Sequence, residues 1–224
     1  MKGGWDRDTL VLEPSEPHRG TIILLHGLGS GGDEMQQLVP LFQRPDLRFV
    51  LPSAPAREVT INQGFRMRSW YDIRAFARTR DREPADDVLD AAARVEAEID
   101  AELARGTKAE RIVLAGFSQG AAVTVQVGLT TRHRLAGLVV LSGYLLRNGE
   151  LAEGIVGGSL HAPAFVAHGE LDSQVSCAWG EAAAERLGRD LRQVEWRTYP
   201  IGHALCAPQL ADLRVWLAQV LRAA

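Results

Sequence analysis

A glycine–serine–glycine turn near the middle of the chain constrains the fold most strongly. Residues 116–120 read Gly-Phe-Ser-Gln-Gly, and residues 111–115 before them form a short apolar run typical of a buried strand. Residues 121–129 are small and apolar enough for a packed helix. A strand, a tight turn and a helix are the setting in which Gly-x-Ser-x-Gly holds a serine outward on a strained bend. The alternative is a chance match in a loop, which the preceding strand pattern disfavours.

Strand-like and helix-like segments alternate along the rest of the chain. Residues 85–103 carry apolar side chains at spacings of three and four, which predicts an amphipathic helix, and further helices are expected near 179–187 and 208–221. Strand patterns cover residues 9–13, 21–26, 48–52, 135–142, 164–168 and 194–199. This alternation predicts an α/β fold with a mostly parallel central sheet and helices on both faces. The long connection at 53–84 is a candidate wall or lid over a site.

Composition narrows the class of protein further. The 224 residues are 46% hydrophobic, which predicts one globular domain over residues 1–224. The net charge of -3 disfavours a nucleic-acid partner, and no apolar run is long enough to insert stably in a membrane. The N-terminus lacks the apolar core of a signal peptide, so we expect a cytoplasmic protein. Cys177 and Cys206 are too few for a disulfide framework and suit no zinc site, so no metal or cofactor is expected.

A serine nucleophile needs a base to take its proton and an acid to orient that base. In folds with this serine turn, the chain order is serine, acid, histidine. Asp172 follows the strand at 164–168 and His203 follows the strand at 194–199, where this order requires them. Glu170 is a rival for the acid. His168 is a rival for the base, although it lies close to the acid in sequence and suits a strand end. We therefore predict a triad of Ser118, Asp172 and His203.

The reaction also needs N–H donors for a developing oxyanion. One is expected from the backbone of Gln119, directly after the serine, and the other from an earlier loop. Residues 26–32 read His-Gly-Leu-Gly-Ser-Gly-Gly, which makes Leu28 the candidate donor and gives His26 the task of orienting its own loop. A phosphate-cradling loop is the alternative, but the Lys-Ser/Thr ending of a P-loop is missing.

Seven motifs spread over the chain resemble the carboxylesterase/phospholipase family, which includes bacterial type II carboxylesterases and acyl-protein thioesterases. They are Leu-His-Gly-Leu-Gly at 25–29, Pro-Ser-Ala-Pro at 52–55, Val-Thr-Ile-Asn at 59–62, Met-Arg-Ser-Trp-Tyr-Asp at 67–72, Gly-Phe-Ser-Gln-Gly at 116–120, Leu-Ser-Gly-Tyr at 141–144 and Gly-His at 202–203. The resemblance implies an α/β-hydrolase fold. It also implies the triad Ser118, Asp172 and His203, with oxyanion donors at Leu28 and Gln119.

The resemblance further implies an acyl groove with the loop around Trp70 as one wall. Packing in the core is the alternative for such a large ring. Met67, Phe65 and Leu205 are weaker candidates for the same groove. After the acid, the family usually has x-Val-Val-Pro, whereas residues 173–176 read Ser-Gln-Val-Ser. This departure predicts a more polar or more mobile acid loop.

The arginine-rich run at 74–82 is expected to be a solvated loop, or less plausibly a contact for anionic headgroups or a substrate carboxylate. Together these features predict a serine carboxylesterase that hydrolyses short- to medium-chain acyl esters through an acyl-enzyme. The alternatives are an acyl-protein thioesterase or lysophospholipase and, from another class, a non-catalytic binding protein with this fold. The expected partner is a small-molecule or lipid acyl ester. Relatives are sometimes dimers, which suggests a homodimer.

Overall fold

A computed structural model of the chain describes residues 8–75, 77, 81–153, 158, 162–191 and 193–222. Its strands are β1 (Thr9–Leu12), β2 (Gly20–Leu25), β3 (Leu47–Pro52), β4 (Ala56–Val59), β5 (Phe65–Arg68), β6 (Ile112–Phe117), β7 (Gly137–Leu141), β8 (Pro163–Gly169) and β9 (Gln193–Tyr199). Within the described ranges, seven of them form one sheet in the order β1-β3-β2-β6-β7-β8-β9. Strand β1 is antiparallel to β3 and the other neighbours are parallel, so the predicted mostly parallel sheet is confirmed.

Helices connect the parallel strands. They are α1 (Gly32–Met35), α2 (Val39–Phe42), α3 (Ala85–Ala104), α4 (Gln119–Thr130), α5 (Cys177–Asp190) and α6 (Ala207–Val220), with 3-10 turns at Gln36–Leu38, Thr60–Asn62, Ala109–Arg111 and Leu146–Ala152. Four of these helices were expected from the sequence. The short helices α1 and α2 were not, because four residues carry too little periodicity to be recognised.

The sheet is buried on both faces. Ile23 and Leu114 pack with α3, α4 and α5 on one face, whereas Ile22 and Val113 pack with α2 and α6 on the other. Neighbouring residues of one strand point to opposite faces, so a strand covered on both sides must be apolar at every position. This explains why the inner strands are continuous apolar runs rather than alternating patterns.

The long connection at 53–84 contains a β-hairpin that the sequence did not predict. Strands β4 and β5 pair antiparallel, and the carbonyl of Arg68 at the end of β5 accepts a hydrogen bond of 2.9 Å from the backbone N–H of Gly29. Gly29 belongs to the loop that follows β2. The hairpin is therefore joined to the carboxyl edge of the sheet, where the loops after β2, β6, β8 and β9 meet.

The arginine-rich run was expected to be solvated, and for Arg82 that expectation is wrong. Its side chain is buried, forms an ion pair of 2.7 Å with Glu83, and lies 4.6 Å from the ring centre of Tyr144 and 4.9 Å from that of Trp179. Cation–π contacts and an ion pair together offset the cost of burying the guanidinium. Arg74 is exposed, while residues 76 and 78–80 of the run lie outside the described residues.

Candidate active site

The serine lies on a sharp turn between β6 and α4. Ser118 has φ 54° and ψ -117°, a strained backbone for a residue with a side chain. A β-carbon at Gly116 would lie 2.5 Å from the backbone of Gly120, and one at Gly120 would lie 2.5 Å from the carbonyl oxygens at the end of β2. Glycine is therefore required on both sides of the serine. The turn has the strand–turn–helix setting that the sequence predicted.

Three side chains from separate loops form a hydrogen-bonded series at the carboxyl edge of the sheet. The Ser118 hydroxyl lies 2.8 Å from Nε2 of His203, and Nδ1 of His203 lies 2.6 Å from Oδ2 of Asp172. Because a carboxylate only accepts hydrogen bonds, Nδ1 carries the proton and Nε2 accepts from the serine. The Asp172 side chain is fully buried, whereas Ser118 and His203 are partly exposed. The hydroxyl of Ser118 is therefore accessible to a substrate, whereas the carboxylate of Asp172 is not.

Both rivals lie outside this series. Glu170 is exposed and accepts a hydrogen bond of 2.7 Å from the hydroxyl of Thr198. The imidazole of His168 is fully buried, and its Nε2 lies 2.9 Å from the carbonyl oxygen of Val175 and 3.3 Å from Oδ2 of Asp172. His168 is therefore a neighbour of the acid rather than of the serine.

The backbone of the acid loop holds the carboxylate. Oδ1 of Asp172 accepts hydrogen bonds of 2.9 Å and 2.8 Å from the backbone N–H groups of Gln174 and Val175. Gln174 and Ser176, where the family usually has valine and proline, are both exposed. The departure from the family pattern therefore changes the surface of this loop, while its backbone still binds the acid.

The loop after β2 passes close to the serine. A β-carbon at Gly27 would lie 3.4 Å from Cβ of Ser118, so this loop runs directly past the turn. Leu28 is the next residue of the loop, and Gln119 is the first residue of α4. Among the described residues, no protein acceptor is recorded for the backbone N–H of either residue. The N-terminus of α4, with its partial positive charge, therefore begins directly after the serine.

The side chain of Gln119 links the start of α4 to residues 69–71 through hydrogen bonds. Its amide nitrogen donates to the hydroxyl of Ser69 at 2.9 Å and to the carbonyl of Tyr71 at 2.8 Å, and its oxygen accepts from the backbone N–H of Trp70 at 2.9 Å. All four residues are buried. Sequence reasoning used only the backbone of Gln119 and missed this role. The available signal was a long polar side chain at the head of an otherwise small, apolar helix.

His26 connects the same region to the loop after β2. Its Nε2 accepts a hydrogen bond of 2.8 Å from the backbone N–H of Ala54, so the ring proton is on Nδ1, 2.6 Å from the carbonyl of Gly27. The indole N–H of Trp70 donates to the His26 carbonyl at 2.9 Å. Burial lowers the pKa of His26, which keeps the ring neutral. His26 orients its own loop, as the sequence predicted.

Trp70 is buried beneath the loop after β2. Its side chain is 1% exposed and packs against the ring of His26 with the centroids 5.1 Å apart. It also lines a cavity of about 130 Å³ together with Pro52 and Glu98, and none of the three residues in the serine series lines that cavity. Burial and groove lining are compatible, so the place of Trp70 at an acyl groove stays a prediction.

The other groove candidates lie at different depths. A β-carbon at Gly29 would lie 3.7 Å from the sulfur of Met67, so Met67 borders the loop after β2. Phe65, at the start of β5, is 68% exposed, and Leu171, next to the acid, is 70% exposed. Leu205 is half-buried and packs on the α6 face of the sheet. Exposed apolar side chains thus lie on both the hairpin and the acid loop.

No group of three histidine, cysteine, aspartate or glutamate side chains among the described residues could hold a metal ion. Cys177 and Cys206 are both free thiols and both half-buried. Cys206 precedes the first residue of α6, where its side chain accepts from the helix backbone. None of the described helices is long and apolar enough to cross a membrane.

Known proteins resemble this chain over nearly its whole length. The sequence profile of the family described as phospholipase/carboxylesterase matches residues 7–221. Acyl-protein thioesterase 1 of Cryptococcus neoformans is 32% identical over 231 residues, covering 95% of this chain and 97% of that protein. Among solved structures, acyl-protein thioesterase 2 of Zea mays has a TM-score of 0.84 at 25% identity, covering 95% of this chain and 98% of that one.

A second solved structure, SOBER1 of Arabidopsis thaliana, has a TM-score of 0.80 at 30% identity. It covers 90% of this chain and 99% of its own. These likenesses confirm the α/β-hydrolase fold that the sequence motifs predicted.

Proposed function

The chain belongs to the phospholipase/carboxylesterase family and is a serine ester hydrolase, and we propose that it hydrolyses acyl thioesters of proteins and related carboxylic esters. The observation that carries the proposal is the series Ser118–His203–Asp172, with contacts of 2.8 Å and 2.6 Å. A serine in this series has both the base that takes its proton and the acid that orients the base.

The proposed reaction has two halves. Ser118 Oγ attacks the acyl carbonyl carbon while its proton passes to Nε2 of His203, and Asp172 stabilises the resulting imidazolium. The N–H groups of Leu28 and Gln119 bind the oxygen of the tetrahedral intermediate. His203 then gives the proton to the departing sulfur or oxygen. In the second half, water attacks the acyl-enzyme with His203 again as the base, which releases the carboxylic acid.

Thioester hydrolysis is proposed ahead of the short-chain carboxylesterase activity that the sequence alone favoured. The relatives that span 95% of the chain are acyl-protein thioesterases. The exposed apolar side chains of Phe65 and Leu171 also suit a substrate with a long acyl chain. A lysophospholipid is a related substrate, because the acyl chemistry is the same. The cytoplasmic location and the homodimer stay predictions from the sequence.

Replacing the serine tests the proposal. We expect Ser118→Ala to lower kcat by roughly four to six orders of magnitude without loss of folding, because no other alcohol in the series can form the acyl-enzyme. The exposed loop variant Ser15→Ala is the matched control. The substrates are an S-acylated peptide and nitrophenyl esters of increasing chain length. Wild-type rates in Ser118→Ala would contradict the hydrolase mechanism, and a rate maximum at short esters without thioester cleavage would favour the carboxylesterase.

A further inference from the structure

A second buried histidine lies directly behind the acid. His168 is the second-to-last residue of β8 and has no solvent exposure. It takes no part in the reaction steps described above. Oδ2 of Asp172, the oxygen that binds His203 at 2.6 Å, also lies 3.3 Å from Nε2 of His168. One carboxylate oxygen therefore faces two imidazole rings.

The surroundings of His168 determine which of its nitrogens carries the proton. Nε2 faces the carbonyl oxygen of Val175 at 2.9 Å and Oδ2 of Asp172 at 3.3 Å, and both are acceptors. Nδ1 has no hydrogen-bond partner among the described residues. A proton on Nδ1 would leave a buried donor unpaired and would turn the Nε2 lone pair toward two oxygens. The proton is therefore on Nε2, which donates to the carbonyl of Val175 at 2.9 Å and lies 3.3 Å from Oδ2 of Asp172.

The ring is held in place from both sides. A β-carbon at Gly180, inside helix α5, would lie 2.2 Å from Nδ1 of His168, and the ring of Trp196 on β9 lies 6.4 Å from the imidazole, centroid to centroid. Glycine inside a helix is less favourable than alanine by about 1 kcal/mol, so its presence here is explained by the close approach of the imidazole. Helix and sheet together fix the direction of the Nε2–H group.

The ring also stays uncharged. Burial lowers the pKa of His168, and Asp172 and His203 are the titratable groups that face it. Of the residues that pack against the ring, Gly180 of α5 and Trp196 of β9 carry no charge. A neutral donor can bind the carboxylate without competing with His203 for its proton.

We propose that His168 is a positioning residue, whose Nε2–H group holds Oδ2 of Asp172 in the orientation that binds Nδ1 of His203. The inference rests on the proposed function, because it requires Asp172 and His203 to act as acid and base. The backbone N–H groups of Gln174 and Val175 hold Oδ1 at 2.9 Å and 2.8 Å. His168 completes the set by fixing the second oxygen, so the carboxylate cannot turn away from the base.

Two substitutions separate this role from packing. His168→Leu fills the space but removes the donor, while His168→Gln keeps an N–H group near the position of Nε2. For His168→Leu we expect kcat to fall about ten- to a hundredfold with KM nearly unchanged, the effect of losing one hydrogen bond to a charged group. His168→Gln should recover most of that loss.

The pH profile supplies a readout that packing alone would not move. Without the His168 donor, the Asp172 carboxylate can turn away from Nδ1 of His203 and stabilises the imidazolium form of His203 less. The acid limb of kcat/KM should therefore move to lower pH in His168→Leu and return toward wild type in His168→Gln. Gly180→Ala displaces the ring from the other side and should lower kcat in the same way, which keeps the test available if His168→Leu fails to fold.

The outcomes distinguish the two proposals. Folded His168→Leu with wild-type kcat and an unmoved acid limb overturns the positioning role, as does His168→Gln that is no more active than His168→Leu. Both results leave the proposed function intact as long as Ser118→Ala is inactive. Activity that survives in Ser118→Ala overturns the proposed function itself.

Discussion

The loop after β2 and the loop after β8 are built alike but held for different purposes. Each starts at a buried, neutral histidine at a strand end, His26 in one and His168 in the other. His26 uses both ring nitrogens on backbone groups, at 2.6 Å and 2.8 Å. His168 leaves one nitrogen without a partner in the described structure, while the other binds a backbone carbonyl at 2.9 Å and also lies 3.3 Å from a carboxylate oxygen. The ring nitrogens of the first histidine contact backbone groups alone, whereas the second histidine also contacts a charged group.

Because of this difference, we expect variants of the two loops to affect different quantities, the free energy of unfolding in one case and kcat in the other. The loop after β2 is part of a buried polar network that includes Gln119, Trp70 and Ser69, and each missing partner there would leave a buried group unsatisfied. The acid of the other loop keeps its backbone hydrogen bonds even when its charge is removed. Variants of the network should therefore mainly lower stability, and variants of the acid should mainly lower kcat.

Among variants of these two loops, the largest effect on rate is expected from Asp172→Asn. The amide can present its N–H₂ group to His203, which favours the imidazole tautomer with the proton on the wrong nitrogen, so kcat should fall by roughly three to four orders of magnitude. Stability should change little, because the side chain keeps its shape. Steady-state kinetics and thermal unfolding of the same preparation measure both quantities.

Glu170→Gln is the matched control for that substitution. Glu170 is two residues from Asp172 but is exposed and bonded to Thr198, so its kcat should equal that of the wild type. If Glu170→Gln lost as much activity as Asp172→Asn, the assignment of the acid would have to be reversed.

The sequence predicted the position of both loops. Ser118, Asp172 and His203 were located because the chain order of strands fixes which loops meet at the carboxyl edge. Gly-rich composition likewise pointed to the loop after β2. These inferences need only topology, and topology follows from the alternation of apolar runs and helical periodicity.

Side-chain direction could not be predicted in the same way. The sequence favoured a groove wall for Trp70 but did not predict that its indole N–H binds a buried carbonyl. Arg82 was assigned to solvent, yet it lies against two aromatic rings. Both placements depend on contacts between residues distant in sequence, which a local sequence pattern cannot reveal. The contact between His168 and Gly180 was missed for the same reason.

Gln119→Met tests the contribution of the loop after β2, through its buried polar network, to stability. Methionine has a similar volume but cannot accept from the N–H of Trp70, so that buried backbone group loses its partner, while the carbonyl of Tyr71 still accepts from the hydroxyl of Ser69. We expect the free energy of unfolding to fall by about 1–3 kcal/mol. The backbone N–H of residue 119 is kept, so kcat should fall only about tenfold. Urea unfolding and steady-state kinetics measure the two effects.

Gln36→Met, on an exposed 3-10 turn, is the control for that variant and should match the wild type in both measurements. A Gln119→Met protein as stable as the wild type would show that the network adds little to stability. The contrast between the two loops would then be lost.

The smallest expected effect is on the way the free energy of unfolding changes with pH. Burial lowers the pKa of His26 and His168 below the ordinary value of 6.5. Below that pH the unfolded chain binds protons that the folded chain does not, so these residues make stability fall as the pH falls. From pH 7.5 to 5.5, each contributes a loss of at most about 1.4 kcal/mol. Glu83 acts in the opposite direction, because burial raises its pKa, so the comparison must be between variants.

His26→Asn removes one of these titrating groups while keeping a donor for the carbonyl of Gly27. It should be less stable than the wild type at pH 7.5, because the N–H of Ala54 loses its acceptor, and should lose less stability on acidification. Equal slopes in the wild type and His26→Asn would mean that the pKa of His26 is the same in the folded and unfolded states. Burial in the loop after β2 would then not disfavour the charged ring, and the likeness of this loop to the acid loop would end there.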